Sequence, residues 1–199
     1  MKKFEKILKE RNIKNIVFDF DGVILDSIPV KTEAFRKLFQ NYPKKFVDKL
    51  IEFHLENGGM SRYEKIRYFF KELLQKDISE KEVLYYANLY SKLTKQELAN
   101  EKYLIKEVVD FIKNNYWKYA FHIASGADEN DLIYICDELG LTKYFLSING
   151  SPKIKSKIVR DILKCYGYKK GETILIGDSI NDYKAAKLNN IDFYEYNQN

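Results

Sequence analysis

Two short runs of this chain are apolar without a break and then stop abruptly at carboxylates. Ile16-Val17-Phe18 leads into Asp19-Phe20-Asp21-Gly22-Val23, and Ile174-Leu175-Ile176 leads into Gly177-Asp178-Ser179-Ile180-Asn181-Asp182. A strand with one wet face alternates apolar and polar residues. A strand without alternation is covered on both faces, as in parallel sheets packed between helices. Three more runs, at 119–124, 144–148 and 192–196, are rich in β-branched and aromatic residues. Helical periodicity at 128–139, 156–166 and 181–188 separates the last four runs, and Gly140 and Gly167 stand where helices end. The pattern predicts an α/β fold built on a five-stranded parallel sheet.

The interval between the first two strands breaks this rhythm. Residues 27–100 read as helices only, with apolar positions such as Phe35, Leu38 and Phe39, then Ile66, Phe69, Phe70, Leu73 and Leu74, at helical spacing. Gly58-Gly59 interrupts the pattern, and Ser61-Arg62-Tyr63-Glu64 has the form of a capping box opening a new helix. The expected division is a core of residues 1–26 and 101–199, with an inserted helical module of residues 27–100. The N-terminal segment, with Phe4, Ile7 and Leu8 on one face, is expected to pack onto the core.

Composition narrows the function. With 45% hydrophobic and 32% charged residues the chain is globular, and its net charge of +5 is spread without a basic arm. No nucleic-acid partner is expected from such a distribution. The first residues are charged and carry no apolar leader, and no run is long enough to span a bilayer, so a cytoplasmic protein without membrane contact is expected. Cys136 and Cys165 form no CxxC pattern and read as ordinary buried or surface thiols.

The carboxylates carry the chemistry. Side chains alternate along a strand, so Asp19 and Asp21 leave the first one on the same side. Sites in open parallel sheets form beyond the carboxyl ends of the strands, where strand order reverses. Two such strands side by side would crowd Asp19, Asp21, Asp178 and Asp182. Like charges so close resist ionisation unless a cation neutralises them. Mg2+ suits such a site, since it takes oxygen ligands and keeps positions open for water and phosphate. For Asp182, as for Asp26, capping of a helix N-terminus is the competing role. Ser125-Gly126 ends the second apolar run with a hydroxyl and a turn that can present N–H groups to an anion. Lys153, Lys155 and Lys157 follow the third.

Together these motifs resemble the haloacid dehalogenase superfamily, in particular its phosphatase branch with a helical cap inserted after the first motif. Asp19-Phe20-Asp21-Gly22-Val23 is similar to the first family motif and Ser125 to the second. A lysine of the 153–157 cluster, Lys155 in preference to Lys153, is similar to the third, and Gly177-Asp178-Ser179 with Asp182 to the fourth. The resemblance implies a three-layer Rossmann-like core with strand order 5-4-1-2-3. It implies that Asp19 is the nucleophile of an aspartyl-phosphate mechanism and that Asp21 is the acid/base. It further implies that Ser125 and Lys155 hold the phosphoryl group. Asp19, the Asp21 main-chain carbonyl and Asp178 would bind Mg2+, with Asp182 bound directly or through water.

Arg62 and Lys65, three apart on one helical face after Gly58-Gly59, are expected to contact the substrate together with Ser125 and Gly126. His54, just before this bend, reads as a helix-surface residue, with a place lining the cleft as the alternative, and His122 as a satisfied core or sheet-edge residue. The expected activity is hydrolysis of a small phosphomonoester by a monomer or weak dimer. A phosphomutase and a non-catalytic phospholigand-binding protein are the alternatives. Asp21 argues against dehalogenase chemistry, which lacks this acid/base.

Overall fold

Alternation along the central strand divides the core into two layers. In β1 (Asn15–Phe18), Ile16 and Phe18 enter one hydrophobic cluster with Phe4, Val108, Phe111 and Leu132, while Val17 enters another with Ile158, Val159, Ala185 and Ala186. Ile174 and Ile176 of β4 (Thr173–Gly177) face the first cluster and Leu175 the second. All four residues of β1 and all five of β4 are buried, which is why their sequences are continuously apolar.

The computed structural model describes residues 1–197. Helix α1 (Lys2–Glu10) precedes β1. The chain then runs through α2 (Ile28–Leu38), α3 (Lys44–Glu56), α4 (Arg62–Tyr68) and α5 (Glu80–Leu98). From there it returns through α6 (Lys106–Asn115), β2 (Ala120–Asp128), α7 (Glu129–Glu138), β3 (Ser147–Ser151), α8 (Lys155–Tyr166), β4, α9 (Ile180–Asn189) and β5 (Asp192–Glu195). The sheet is wholly parallel, in the order β3-β2-β1-β4-β5. This is the expected 5-4-1-2-3 order, a Rossmann-like α/β core. Strand order reverses at β1, which lies between β2 and β4, so the carboxyl end of β1 is the topological switch point.

Two strand boundaries differ from the sequence reading. The third strand covers Ser147–Ser151, not 144–148; Tyr144 and Phe145 instead pack on the core from a 3-10 turn and the residue after it. Their apolar character reflects that packing, while the true edge strand carries the polar Ser147 and Asn149. The second strand continues to Asp128, with an irregular register between Ala124 and Asp128 where Ser125 and Gly126 sit.

Helices α2 to α5 enclose their own apolar cluster, including Phe35, Phe39, Leu50, Ile66, Phe69, Val83 and Tyr90. Phe39 and Phe69 stack with ring centroids 4.1 Å apart. Burying each such ring contributes about 1.5–3 kcal/mol. The first turn of α4 is capped by Ser61, whose Oγ accepts from the Glu64 N–H at 3.3 Å. A full capping box opens α5 at Ser79 and Glu82. Phe4 and Leu8 of α1 are buried against the sheet. Among the described residues no helix is long and apolar enough to cross a membrane.

His122 on β2 is fully buried, with Nδ1 2.8 Å from Ser147 Oγ and Nε2 3.0 Å from Tyr168 OH. Burial holds its pKa down, to about 4 against an ordinary 6.5. The unfolded chain therefore takes up a proton that the fold refuses. Stability from this residue is present above the unfolded pKa and is lost as pH falls from 6.5 toward 4. Over that window wild type should lose about 1.4 kcal/mol more per pH unit than His122→Gln. Chemical denaturation across the range measures this slope, and parallel curves would show that His122 titrates freely.

Candidate active site

The alternation that places Val17 against α8 and α9 places Asp19, two residues on, beneath the N-termini of the same helices. Lys155, the first residue of α8, lies there with its Nζ 2.8 Å from Asp19 Oδ1, and it also pairs with Asp182 Oδ1. All three side chains are almost completely buried. Asp182 Oδ2 accepts from the Ser179 N–H at 3.0 Å and from Ser179 Oγ at 2.5 Å, so Asp182 also closes the capping box of α9. Both roles read from the sequence for Asp182, site carboxylate and cap, thus fall to one side chain. Lys153 is instead paired at the surface with Asp161 at 3.1 Å, and Lys157 is exposed.

Glycines allow the surrounding close approach. Gly22 has φ +76, and a Cβ there would overlap the Asp178 carboxylate. A Cβ on Gly177 would overlap Asp182. Asp178 follows β4 and Gly22 follows β1, so these two glycines let the two strand ends bring their aspartates together. Ser125 is fully buried at the neighbouring end of β2, where its Oγ accepts from the Ala127 N–H at 3.1 Å.

Asp21 leaves this cluster and faces α2. Its Oδ1 accepts from Ser27 Oγ at 2.5 Å, and its Oδ2 pairs with Lys31. Burial alone would raise the Asp21 pKa, but the Lys31 charge and the hydrogen bonds from Lys31 and Ser27 bring it below the ordinary carboxylate range. Sequence reasoning did not single out Ser27 or Lys31. The available signal was their spacing: Lys31 lies one helical turn beyond Ser27 on the segment leaving Asp21.

The insert closes over this ground. Gly59 approaches Gly126 so tightly that a Cβ on Gly126 would overlap the Gly59 carbonyl oxygen. Asn181 Nδ2 donates to the Gly58 carbonyl at 2.6 Å, and Tyr63 OH donates to Asp128 at 2.5 Å. A cleft of about 670 Å³ opens on the Lys155 side of the Gly58-Gly59 turn. A smaller cavity of about 110 Å³ lies on the Asp21 side, lined in part by Lys31, His54, Arg62, Lys65 and Tyr90.

The pattern of the haloacid dehalogenase-like hydrolases matches residues 13–189, which spans strands β1 to β4 and the insert. This chain belongs to that family. A phosphorylated carbohydrates phosphatase from Thermotoga maritima is 28% identical over 133 residues. That match covers 65% of this chain and 57% of the relative, so the chain spans little more than half the relative's length. A predicted phosphoglycolate phosphatase from Haemophilus somnus superposes with TM-score 0.70 at 17% identity, covering 91% of this chain and 84% of the other. A β-phosphoglucomutase from Clostridium difficile superposes with TM-score 0.69 at 22% identity, covering 91% and 83%. Both solved structures share the hydrolase fold of this chain.

The electrostatics of this hydrolase site favour a cation. Asp19, Asp178 and Asp182 offer oxygens that all lie within 4.8 Å of one another. Asp19 Oδ2 is buried without any hydrogen-bond partner. Burial, then the nearby Asp182 charge, raises the Asp19 pKa well above its ordinary value, and the same two causes raise Asp178 to about 6. Burial opposes the charge on Lys155, yet Asp182 and Asp19 together push its pKa up. Three carboxylates against one ammonium leave the cluster two positive charges short of neutrality, the deficit one divalent ion would fill.

Two insert residues differ from expectation. Arg62 was expected to grip substrate beside Lys65, but its Nη1 donates to Asp131 Oδ2 at 2.7 Å and Ser91 Oγ at 2.6 Å. Its guanidinium also lies over the Tyr90 ring. Buried in this way, Arg62 ties the insert to α7. His54 is buried, not exposed: helix α3 turns it inward, against Lys65 and Phe35. The spacing of a single helix could not show that a second helix covers this face.

Lys155→Met should destabilise the fold by about 3–5 kcal/mol near neutral pH, because it leaves buried carboxylates uncompensated. Asp19 and Asp178 already have raised pKa values. The folded variant should therefore bind more protons than its unfolded chain, and part of the loss should return as pH falls from ~7 toward ~5. Urea unfolding at both ends of that range checks this. A variant as stable as wild type at neutral pH would show that Lys155 does not offset the carboxylates.

Proposed function

We propose that this hydrolase is a phosphatase that cleaves a small phosphomonoester through a covalent phosphate on Asp19. The observation that carries this reading is the Asp19 carboxylate itself, buried, with one oxygen unpartnered and the other held by Lys155. A buried carboxylate with a free oxygen costs stability, and nucleophilic attack on phosphorus gives that oxygen a use.

In the proposed reaction, Asp19 attacks phosphorus opposite the ester oxygen. The ester bond breaks, and Asp21 gives a proton to the departing oxygen. Asp21 then takes a proton from water as that water attacks phosphorus, which releases orthophosphate and frees Asp19. Ser125 and Gly126 would bind phosphoryl oxygens, and Lys155 would offset their charge. Lys31 and Ser27 hold Asp21 ionised in this arrangement, the form the second step requires. Proton donation in the first step then calls for the Lys31 side chain to release Asp21 beneath the closed insert. We treat residues 27–100 as a movable cap on a core of residues 1–26 and 101–199, closed during the reaction and open for substrate exchange. Asp19, Asp178 and the Asp21 main-chain carbonyl are the groups that would hold Mg2+, with Asp182 adding charge behind them. The ion would supply charge neutralisation at the transferred phosphoryl group. The resemblance to an enzyme named for phosphorylated carbohydrates supports a small phosphorylated metabolite as substrate.

Phosphate release from a panel of phosphomonoesters tests the reading. Asp19→Asn should abolish turnover while keeping the wild-type melting temperature, and Asp21→Asn should slow it by about 10²–10⁴-fold. Wild-type turnover by folded Asp19→Asn would falsify the covalent mechanism. Excess chelator should stop the reaction and added Mg2+ should restore it. Undiminished activity in chelator would remove the ion from the account.

A further inference from the structure

The Asp21-side cavity holds a polar group with nothing in the protein to bond. Lys65 Nζ lies 2.9 Å from His54 Nδ1 and donates to the His54 carbonyl at 3.3 Å. Because Lys65 is a donor only, Nδ1 accepts, and the hydrogen of the neutral ring is assigned to Nε2. Neutrality is secured by burial and by the adjacent Lys65 and Lys31 charges, which hold the His54 pKa near 3. His54 Nε2 is buried without a partner, in a residue only 8% exposed that lines the cavity. Such a donor is costly when left unmet.

The remaining charges can be counted. Of the three cations lining the cavity, Lys31 is paired with Asp21 and Arg62 with Asp131, while Lys65 has no acidic partner; Asp178, the other carboxylate of the lining, belongs to the cluster with Asp19 and Asp182. Lys65 also keeps one of its three N–H groups after the two bonds to His54. The cavity thus supplies two unsatisfied donors and one ammonium without a counter-charge, whose pKa burial and then the Lys31 charge lower to about 7, so that a bound anion would secure its proton. A carboxylate, with one negative charge and two oxygens, matches that set, whereas a second phosphate would bring more charge than Lys65 balances. Size is compatible: about 110 Å³ accommodates a leaving group of a few heavy atoms.

We propose that the substrate is the phosphate ester of a short hydroxy acid, its carboxylate bound by Lys65 and His54 while Asp21 faces the ester oxygen. This rests on the phosphatase reading, because the leaving group occupies this cavity only if Asp21 serves as its acid. The pair is drawn from two insert helices, α3 and α4, so the carboxylate would bind only when the insert is closed.

The test compares 2-phosphoglycolate with 2-hydroxyethyl phosphate, which replaces the carboxylate by a neutral hydroxymethyl group, alongside p-nitrophenyl phosphate. Wild type should favour the acid in kcat/KM by roughly ten- to a hundredfold, the worth of a hydrogen bond to a charged group. That ratio should fall toward one in Lys65→Met and in His54→Phe, each checked for a wild-type circular dichroism spectrum. The wild-type ratio needs no variant, so a variant that fails to fold leaves the test standing. Equal wild-type rates on both esters would overturn the carboxylate assignment, as would a preference that survives in both variants. So would turnover of the aryl ester alone. In each of these cases Asp19-dependent turnover would leave the phosphatase reading intact. Absence of turnover on all three esters would overturn both.

Discussion

The ammonium of Lys155 sits where the sheet, two helices and the site converge. It lies between Asp19 at the end of β1 and Asp182 at the start of α9, and it is itself the first residue of α8. Three elements far apart in sequence are thereby joined through one buried charge. Without it the seam between β1 and β4 would gather like charges in a low dielectric, a costly arrangement. With it the cluster is still short of positive charge, an imbalance that favours a cation.

The insert adds a second set of charges above this one. Lys31 from α2 reaches down to Asp21, while Lys65 and His54 from α4 and α3 turn toward the same cavity. Arg62 and Tyr63 tie the insert to Asp131 and Asp128 around the start of α7. The Gly58-Gly59 turn passes so near the core that a side chain at either glycine would crowd Ser179, and one at Gly126 would overlap the Gly59 carbonyl. The glycine pair is thus a matter of close approach between insert and core as much as of turn geometry. The carboxylate cluster thus belongs to the carboxyl end of the sheet, and the His54–Lys65 pair to the helices packed over it.

Much of this was legible in the sequence because the relevant physics is local. Unbroken apolar runs specify strands covered on both faces, and a carboxylate closing such a run lies at the strand's carboxyl end. Asp19 and Asp178 are found in that way, and Asp182 follows at the start of the next helix. Ser125 and Lys155 follow the second and third apolar runs, and the family resemblance supplied their proposed roles. The third strand was misplaced by three residues because an aromatic pair that packs on the core carries the same local signature as a strand.

What the tertiary structure alone decided is which charges are paired. Nothing in the spacing of Arg62 and Lys65 tells that one meets Asp131 across the cleft while the other meets His54 within the insert. Nor does sequence show that Lys31 takes Asp21 out of the carboxylate cluster. Pair formation depends on distances between elements remote in the chain, set by how helices pack over the sheet and not by the periodicity of any one of them. The sequence by itself determined the parallel sheet, the place of the insert and the carboxylates at the switch point, since each follows from patterns a few residues long. Packing decided which cations and donors remain unsatisfied, because only the folded chain removes some of them from water and leaves them without a partner.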